Sequence, residues 1–319
     1  MCHAHGVPLV VDEAHGAHLG LHPRLHPSAL QSGADVAVQS THKQLSAMTQ
    51  AAMLHVRGPR VAAQRVSRAL QVLQSSSPSY LLMASLDAAR AQAADPAAHE
   101  EALAAADYAR QQLSALPGVE LLSVGHVAAT SQPGLPNGQQ PTSGVSLDPL
   151  RLTLTLQQLG LTGYQAAAEL EQQHSIVPEL ATPTSVVLAM SIGSTRGHAE
   201  ALVAALQQLC QQHANGRRGN DGSSSGASAL VPAEAEVRLS PRDAFFAAAE
   251  AVPAASAVGR VSAELLCPYP PGVPAAYPGE LITAHVLAQL QQVLRQGGTV
   301  AGCSDSSLQT LRVVVELQP

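Results

Sequence analysis

Aromatic side chains are almost missing from this sequence: it has no Trp, two Phe and five Tyr among 319 residues. A core without them has to be built from Ala, Leu and Val, and at 46% hydrophobic residues the chain can bury one across two or three domains. Cysteine is nearly as scarce. Cys2, Cys210, Cys267 and Cys303 are scattered without CxxC spacing, which argues against a zinc site and a disulfide framework and points to a reducing compartment, cytoplasmic or plastid. Charge is low as well, at 13% charged residues and a net −6, so there is no basic footprint for nucleic acid. No apolar run approaches the length needed to span a bilayer, so no membrane partner is expected. Met1–Gly6 has neither the hydrophobic core of a signal peptide nor the Arg/Ser-rich character of a transit peptide.

What is there is concentrated between Val7 and Lys43. Val7-Pro-Leu-Val-Val11 and Ala34-Asp-Val-Ala-Val38 are too short for helices and rich in β-branched residues, so both read as buried strands of a parallel sheet. The first delivers Asp12, with Ala14 and His15 behind it; the second delivers Ser40, His42 and Lys43. Ligands of open α/β sheets sit outside the carboxyl ends of the strands, where both clusters fall. A lysine and an acid facing one crevice suit pyridoxal 5'-phosphate (PLP), which needs an amine to hold its aldehyde and a carboxylate to keep its pyridine nitrogen protonated.

The run DEAHGAH followed by QSTHK resembles the Orn/Lys/Arg decarboxylases, PLP enzymes of the aspartate aminotransferase-like fold type I. The resemblance continues through SSSPSYLLMASLDAAR (Ser75–Arg90), GLTGY (Gly160–Tyr164) and CPYPPGVPAAYPGE (Cys267–Glu280). It implies that Lys43 carries the cofactor and that Asp12 pairs with the pyridinium nitrogen. Ala14 would pack on one ring face, His15 would lie near the phenolic oxygen, and Ser40 and His42 would contact the phosphate. The implied reaction is decarboxylation of arginine, lysine or ornithine to its amine, in a homodimer or higher homo-oligomer, with Lys43 or a neighbouring His such as His15 returning a proton. The part of the cofactor domain that precedes the first strand in this family has no counterpart here, so the chain reads as a C-terminal portion, a fragment or a truncated product. Two alternatives stay open: another fold-type I enzyme such as an aminotransferase, and a catalytically inactive subunit partner.

His15, His18 and His22 have the spacing of one helix face, but Gly16, Gly20 and Pro23 interrupt such a helix, so no metal site is expected. Pro27–Ser32 reads as a short helix ended by Gly33. Ser77 reads as an N-cap with Pro78 in the first helical turn, a candidate phosphate contact for a neighbouring subunit. The overall expectation is α/β. A partial fold-type I PLP-dependent transferase large domain over 1–117 precedes a smaller α/β domain over 118–215. A flexible linker over 216–233 then leads to a C-terminal decarboxylase domain over 234–319. A surface loop is expected at Gln132–Ser146, strands at Val119–Val124 and Leu311–Leu317, and a helix from Ser240 through Ala249. Glu264 and Glu280, the acids nearest the stiff Cys267–Gly272 turn, are candidate partners for the distal cation of a basic substrate.

Overall fold

The computed structural model describes residues 1–124, 146–214, 236–269 and 272–315. Most of the expected loop at Gln132–Ser146 and the linker over 216–233 lie outside the described residues. Val10–Asp12 (β1) and Val36–Gln39 (β2) pair in parallel with Asp12 opposite Val38, and Met53–Val56 (β3) joins β2 antiparallel on its other side. Both parallel strands therefore finish at the same end of the sheet. The expectation of two buried strands needs correction for the first. Val7 and Val10 are 52% and 63% exposed because β1 is the edge strand of this sheet, whereas Val36 and Ala37 of the central β2 are buried.

A single helical turn, Thr41–Gln44 (α1), follows β2. Ala63–Leu73 (α2), Tyr80–Ala93 (α3) and Glu100–Ser114 (α4) come next. The expected helix at Pro27–Ser32 is only a turn, closed by Ser32 N–H to Ser28 O and by Gly33 in the left-handed region. Six residues do not repay helix nucleation without a packed face. The cap of α3 is likewise corrected. Ser79, not Ser77, accepts the hydrogen bond from Leu82 N–H, so Pro78 stands before the cap and Ser77 lies outside the helix.

The chain separates into two compact units that alternate in sequence. The first comprises Met1–Ala115, Leu121–Leu152 and Ala189–Ala204; the second comprises Leu116–Glu120, Thr153–Leu188 and Ala205–Pro319. In the first, α4 buries Ala102, Leu103, Ala106, Ala109 and Leu113, and α3 contributes Ala89 and Ala93. These small residues do the work of the missing aromatics by letting helices approach closely.

The second unit holds the bulk of a four-stranded sheet ordered β4-β5-β7-β6, from Glu120–Leu121 (β4), Arg151–Thr155 (β5), Leu180–Ala181 (β6) and Val186–Ala189 (β7). The expected strand Val119–Val124 shrinks to the two residues of β4. Helix Gly163–His174 starts with a full capping box between Thr162 and Gln165. Further on, Ala249–Pro253 (β8) pairs antiparallel with Thr310–Val314 (β11), and Cys267–Tyr269 (β9) with Thr299–Ala301 (β10). The helix expected through Ala249 stops at Phe246, because pairing with β11 draws Ala249 into a strand despite the Ala-rich helix propensity around it. Helix Ala284–Arg295 places Val286, Leu287 and Leu290 on a core with Leu266, Ile282, Leu311 and Val313. Among the described residues, no helix is long and apolar enough to cross a membrane.

Candidate active site

The first unit assembles the site. Asp12 ends β1, and its Oδ1 accepts the Ala14 N–H at 3.0 Å in a tight turn. Its neighbour Glu13 turns away, one carboxylate oxygen accepting Ala29 N–H and the other the Gln39 amide, each at 2.7 Å. One acid of the pair is thus bound into the loop scaffold and the other is left facing solvent. Beyond β2, Ser40 flanks α1 without a side-chain cap bond, His42 Nδ1 lies 3.0 Å from Ala51 O, and Lys43 is exposed. Lys43 Nζ reaches His15 Nε2 at 3.2 Å. The turn after one strand and the helical turn after the other are joined by that contact.

An open depression of about 550 Å³ lies here, lined by Asp12, Ala14, His15, Asp148 and Arg151 among others. Arg151 donates from its guanidinium to His15 Nδ1. The loop beneath is fixed by two histidines: His18 Nε2 lies 2.8 Å from Asp148 Oδ2, and His26 Nε2 lies 2.6 Å from Leu147 O. Burial pushes the Asp148 carboxyl up, but the His18 hydrogen bond and charge, with the Leu150 N–H and Arg151, outweigh it and hold the group below the usual carboxylate range. His22 pairs instead with Glu100 at 3.0 Å. The histidines of this loop therefore diverge to separate partners, and among the described residues no group of three or more His, Cys, Asp or Glu is placed to hold a metal ion.

The structure brings Asp12, Ala14, His15, Ser40, His42 and Lys43 to one end of one sheet. Ser77 is exposed on the chain leading to α3. Glu264 and Glu280 belong to the second unit. Glu264 is buried, with Oε1 accepting Arg312 N–H and Oε2 accepting both Ser304 N–H and Ser304 Oγ–H, the bonding of a structural carboxylate. Glu280 is half-buried and accepts Tyr277 N–H at 2.8 Å. Sequence reasoning missed Arg151 and Asp148, and weighed His18 only as a metal ligand rather than as the partner of Asp148. Arg151 opens an ordinary-looking strand more than a hundred residues after Lys43, and nothing in Asp148-Pro-Leu-Arg151 marks it.

The residues suit PLP: an exposed carboxylate and an exposed amine share one sheet end, with an imidazole against the amine and a small residue, Ala14, beside them. Residues 1–198 match the Orn/Lys/Arg decarboxylase major domain. The chain belongs to the Orn/Lys/Arg decarboxylase family. Residues 226–300 match the C-terminal domain of these decarboxylases. An arginine decarboxylase of Halalkalibacterium halodurans is 37% identical over 99% of this chain and 62% of that protein's length. An arginine decarboxylase of Bacillus subtilis is 35% identical with the same coverage of each. The lysine decarboxylase LdcF of Francisella novicida superposes with a TM-score of 0.70 at 21% identity, over 97% of this chain and 53% of its own, a likeness of fold. This member of the Orn/Lys/Arg decarboxylase family spans about three fifths of the length of the curated relatives it matches.

Proposed function

We propose that this chain carries the cofactor-binding lysine of a PLP-dependent decarboxylase and that its substrate is arginine. The observation that supports the reading best is the 3.2 Å approach of Lys43 Nζ to His15 Nε2 at the sheet end where Asp12 also emerges. Relatives named arginine decarboxylase, 34–37% identical over almost the whole chain, favour arginine over lysine or ornithine.

Bound here, PLP would supply an electron sink for the pair released when the α-carboxylate leaves as carbon dioxide. Lys43 Nζ is the amine that would hold the cofactor's aldehyde. Asp12, its Oδ2 without a partner among the described residues, holds the proton on the pyridine nitrogen. Ala14 leaves room for the ring, and Ser40 and His42 take the phosphate. His15 Nε2 and Lys43 Nζ, 3.2 Å apart, are the groups that would return a proton to the α-carbon. Ser77 serves the phosphate site of a partner subunit in a homodimer. Of the two acids considered for a distal cation, Glu264 has both oxygens engaged, by Arg312 and Ser304, whereas Glu280 accepts the Tyr277 N–H through Oε2.

Reconstitution with PLP followed by borohydride reduction is expected to fix the cofactor on the peptide containing Lys43. Label on another peptide, or label persisting in Lys43→Ala, overturns the assignment. Carbon dioxide release from labelled arginine, lysine and ornithine then separates the substrates. Release of a keto acid instead would favour an aminotransferase.

A further inference from the structure

Arg151 opens β5 beside the depression, and only one edge of its guanidinium is used. Its Nη2 lies against His15 Nδ1 and, with the Gln44 amide oriented to accept, 2.9 Å from Gln44 Oε1, while the Gln44 nitrogen donates to Met190 O at 3.1 Å. Among the described residues, Nη1 and Nε have no hydrogen-bond partner. The acid nearest in sequence does not take them, because Asp148 Oδ2 meets His18 at 2.8 Å and Oδ1 accepts Leu150 N–H at 2.9 Å. The side chain is well anchored. Gln44 is 1% exposed, and Arg110 donates to Pro149 O at 3.0 Å and to Arg151 O at 3.1 Å, so the guanidinium is presented from a fixed strand end.

Lys43 Nζ stands against the other nitrogen of the same imidazole, so Lys43 and Arg151 face each other across one ring. A neutral imidazole has one acceptor nitrogen and both cations offer only donors, so His15 cannot satisfy the two at once. Positive charge and spare N–H groups thus gather at one end of a depression of about 550 Å³, the condition for holding an anion. The anion a decarboxylase has to orient is the α-carboxylate of its substrate. The substrate amine has to come up to Lys43 Nζ, and the carboxylate carbon lies two bonds from that amine, within reach of a guanidinium one imidazole away. The cofactor phosphate is the other anion of such a site, and the α1 turn offers it Ser40 and His42. We propose that Arg151 is a substrate-binding residue whose unused guanidinium edge holds the α-carboxylate of the amino acid. This role deepens the PLP reading of the site and rests on it. The pairing is strongest before the bond breaks, because the carboxylate leaves as neutral carbon dioxide, so Arg151 serves affinity and orientation more than bond breaking itself.

The test uses the whole chain loaded with PLP and compares each of arginine, lysine and ornithine with its carboxamide, which keeps the amine and the distal cation but has no carboxylate charge and cannot release carbon dioxide. Dissociation constants are read from the change in cofactor absorbance on mixing, before turnover. Wild type is expected to prefer at least one amino acid over its amide by on the order of 10- to 100-fold, the size of a charge-assisted pair. Arg151→Met should lose most of that preference by weakening the amino acid alone, and Arg151→Lys, which keeps a point charge without the fork, should retain part of it. A wild type that binds acid and amide alike, or a preference unmoved by Arg151→Met, overturns the proposal. If Arg151→Met does not fold, the wild-type preference and its drop in Arg151→Lys still decide. An Arg151→Met chain that loses affinity for PLP but not for pyridoxal also overturns it, by giving the guanidinium to the phosphate. Borohydride trapping on Lys43 separates the two readings: a wild type that traps no cofactor removes the PLP reading and this role with it, whereas full trapping in Arg151→Met with the preference intact removes this role alone.

Discussion

Asp12 and Glu13 are adjacent carboxylates with opposite fates. Glu13 is used up by Ala29 and Gln39, so removing its charge would loosen the loop; Asp12 holds one turn N–H and is otherwise open. Asp12→Asn is therefore expected to leave stability in urea within about 0.5 kcal/mol of wild type. An amide cannot hold the proton of a pyridinium, so decarboxylation by any form of the chain that turns over should lose about 3 kcal/mol of transition-state stabilisation. Near-normal turnover in Asp12→Asn would remove it from the site. At this scale the sequence was informative about position wherever a residue stands just past a strand end, and Asp12, His15 and Lys43 do come to the same end of the sheet. It was silent on Arg151 and Asp148, whose partners His15 and His18 lie more than a hundred residues away.

At the scale of single elements, β1 and β2 were legible because a short β-branched run that stops at a polar cluster has few alternatives. The segment after Ser240 was not, since an Ala-rich run favours helix locally and only the distant β11 makes Ala249 a strand. The start of α3 was ambiguous for a different reason. Ser-Pro-Ser offers two capping hydroxyls, and only geometry shows that Ser79 reaches Leu82 N–H. Ser79→Ala should accordingly cost about 1 kcal/mol in urea denaturation, and Ser77→Ala only a few tenths. The reverse order would return the cap to Ser77. Gly163, the first residue of its helix, packs so closely that a Cβ would lie 2.2 Å from Ser185 O and 2.3 Å from Thr182 O, both backbone atoms. Gly163→Ala is expected to destabilise by about 1–3 kcal/mol, the usual range for overpacking, and to lower the thermal midpoint measured by circular dichroism.

For the molecule as a whole, acid should act in two steps. His99 is fully buried, and desolvation holds its imidazole below the ordinary histidine range although its hydrogen bond to Ala93 O works the other way. The unfolded chain takes up a proton there as pH falls through about 6.5, while the folded chain resists it, so stability declines from that point downward. Asp35 acts lower. Leu9 N–H, His3 and Arg60 hold its carboxyl at about 2, so its contribution is complete above about pH 4 and is lost as pH falls toward 2. Urea midpoints at about pH 7, 5 and 3 should show both steps, and His99→Gln should flatten the first. An unchanged slope between about pH 7 and 5 in that variant would take His99 out of the account.

Helix α2 buries none of its residues, and Val72 and Leu73 are 75% and 82% exposed. Eleven residues make a marginal helix in water unless an apolar stripe is covered. The amides of Ala63–Leu73 are thus a clock for whatever comes to cover them. In dilute chain they should take up deuterium within seconds, and if a second copy or another protein seats on Val66, Leu70 and Leu73, that uptake should slow while the amides of α4 keep the pace they had. Slow exchange in α2 at every dilution would show instead that contacts inside the chain suffice to keep it wound.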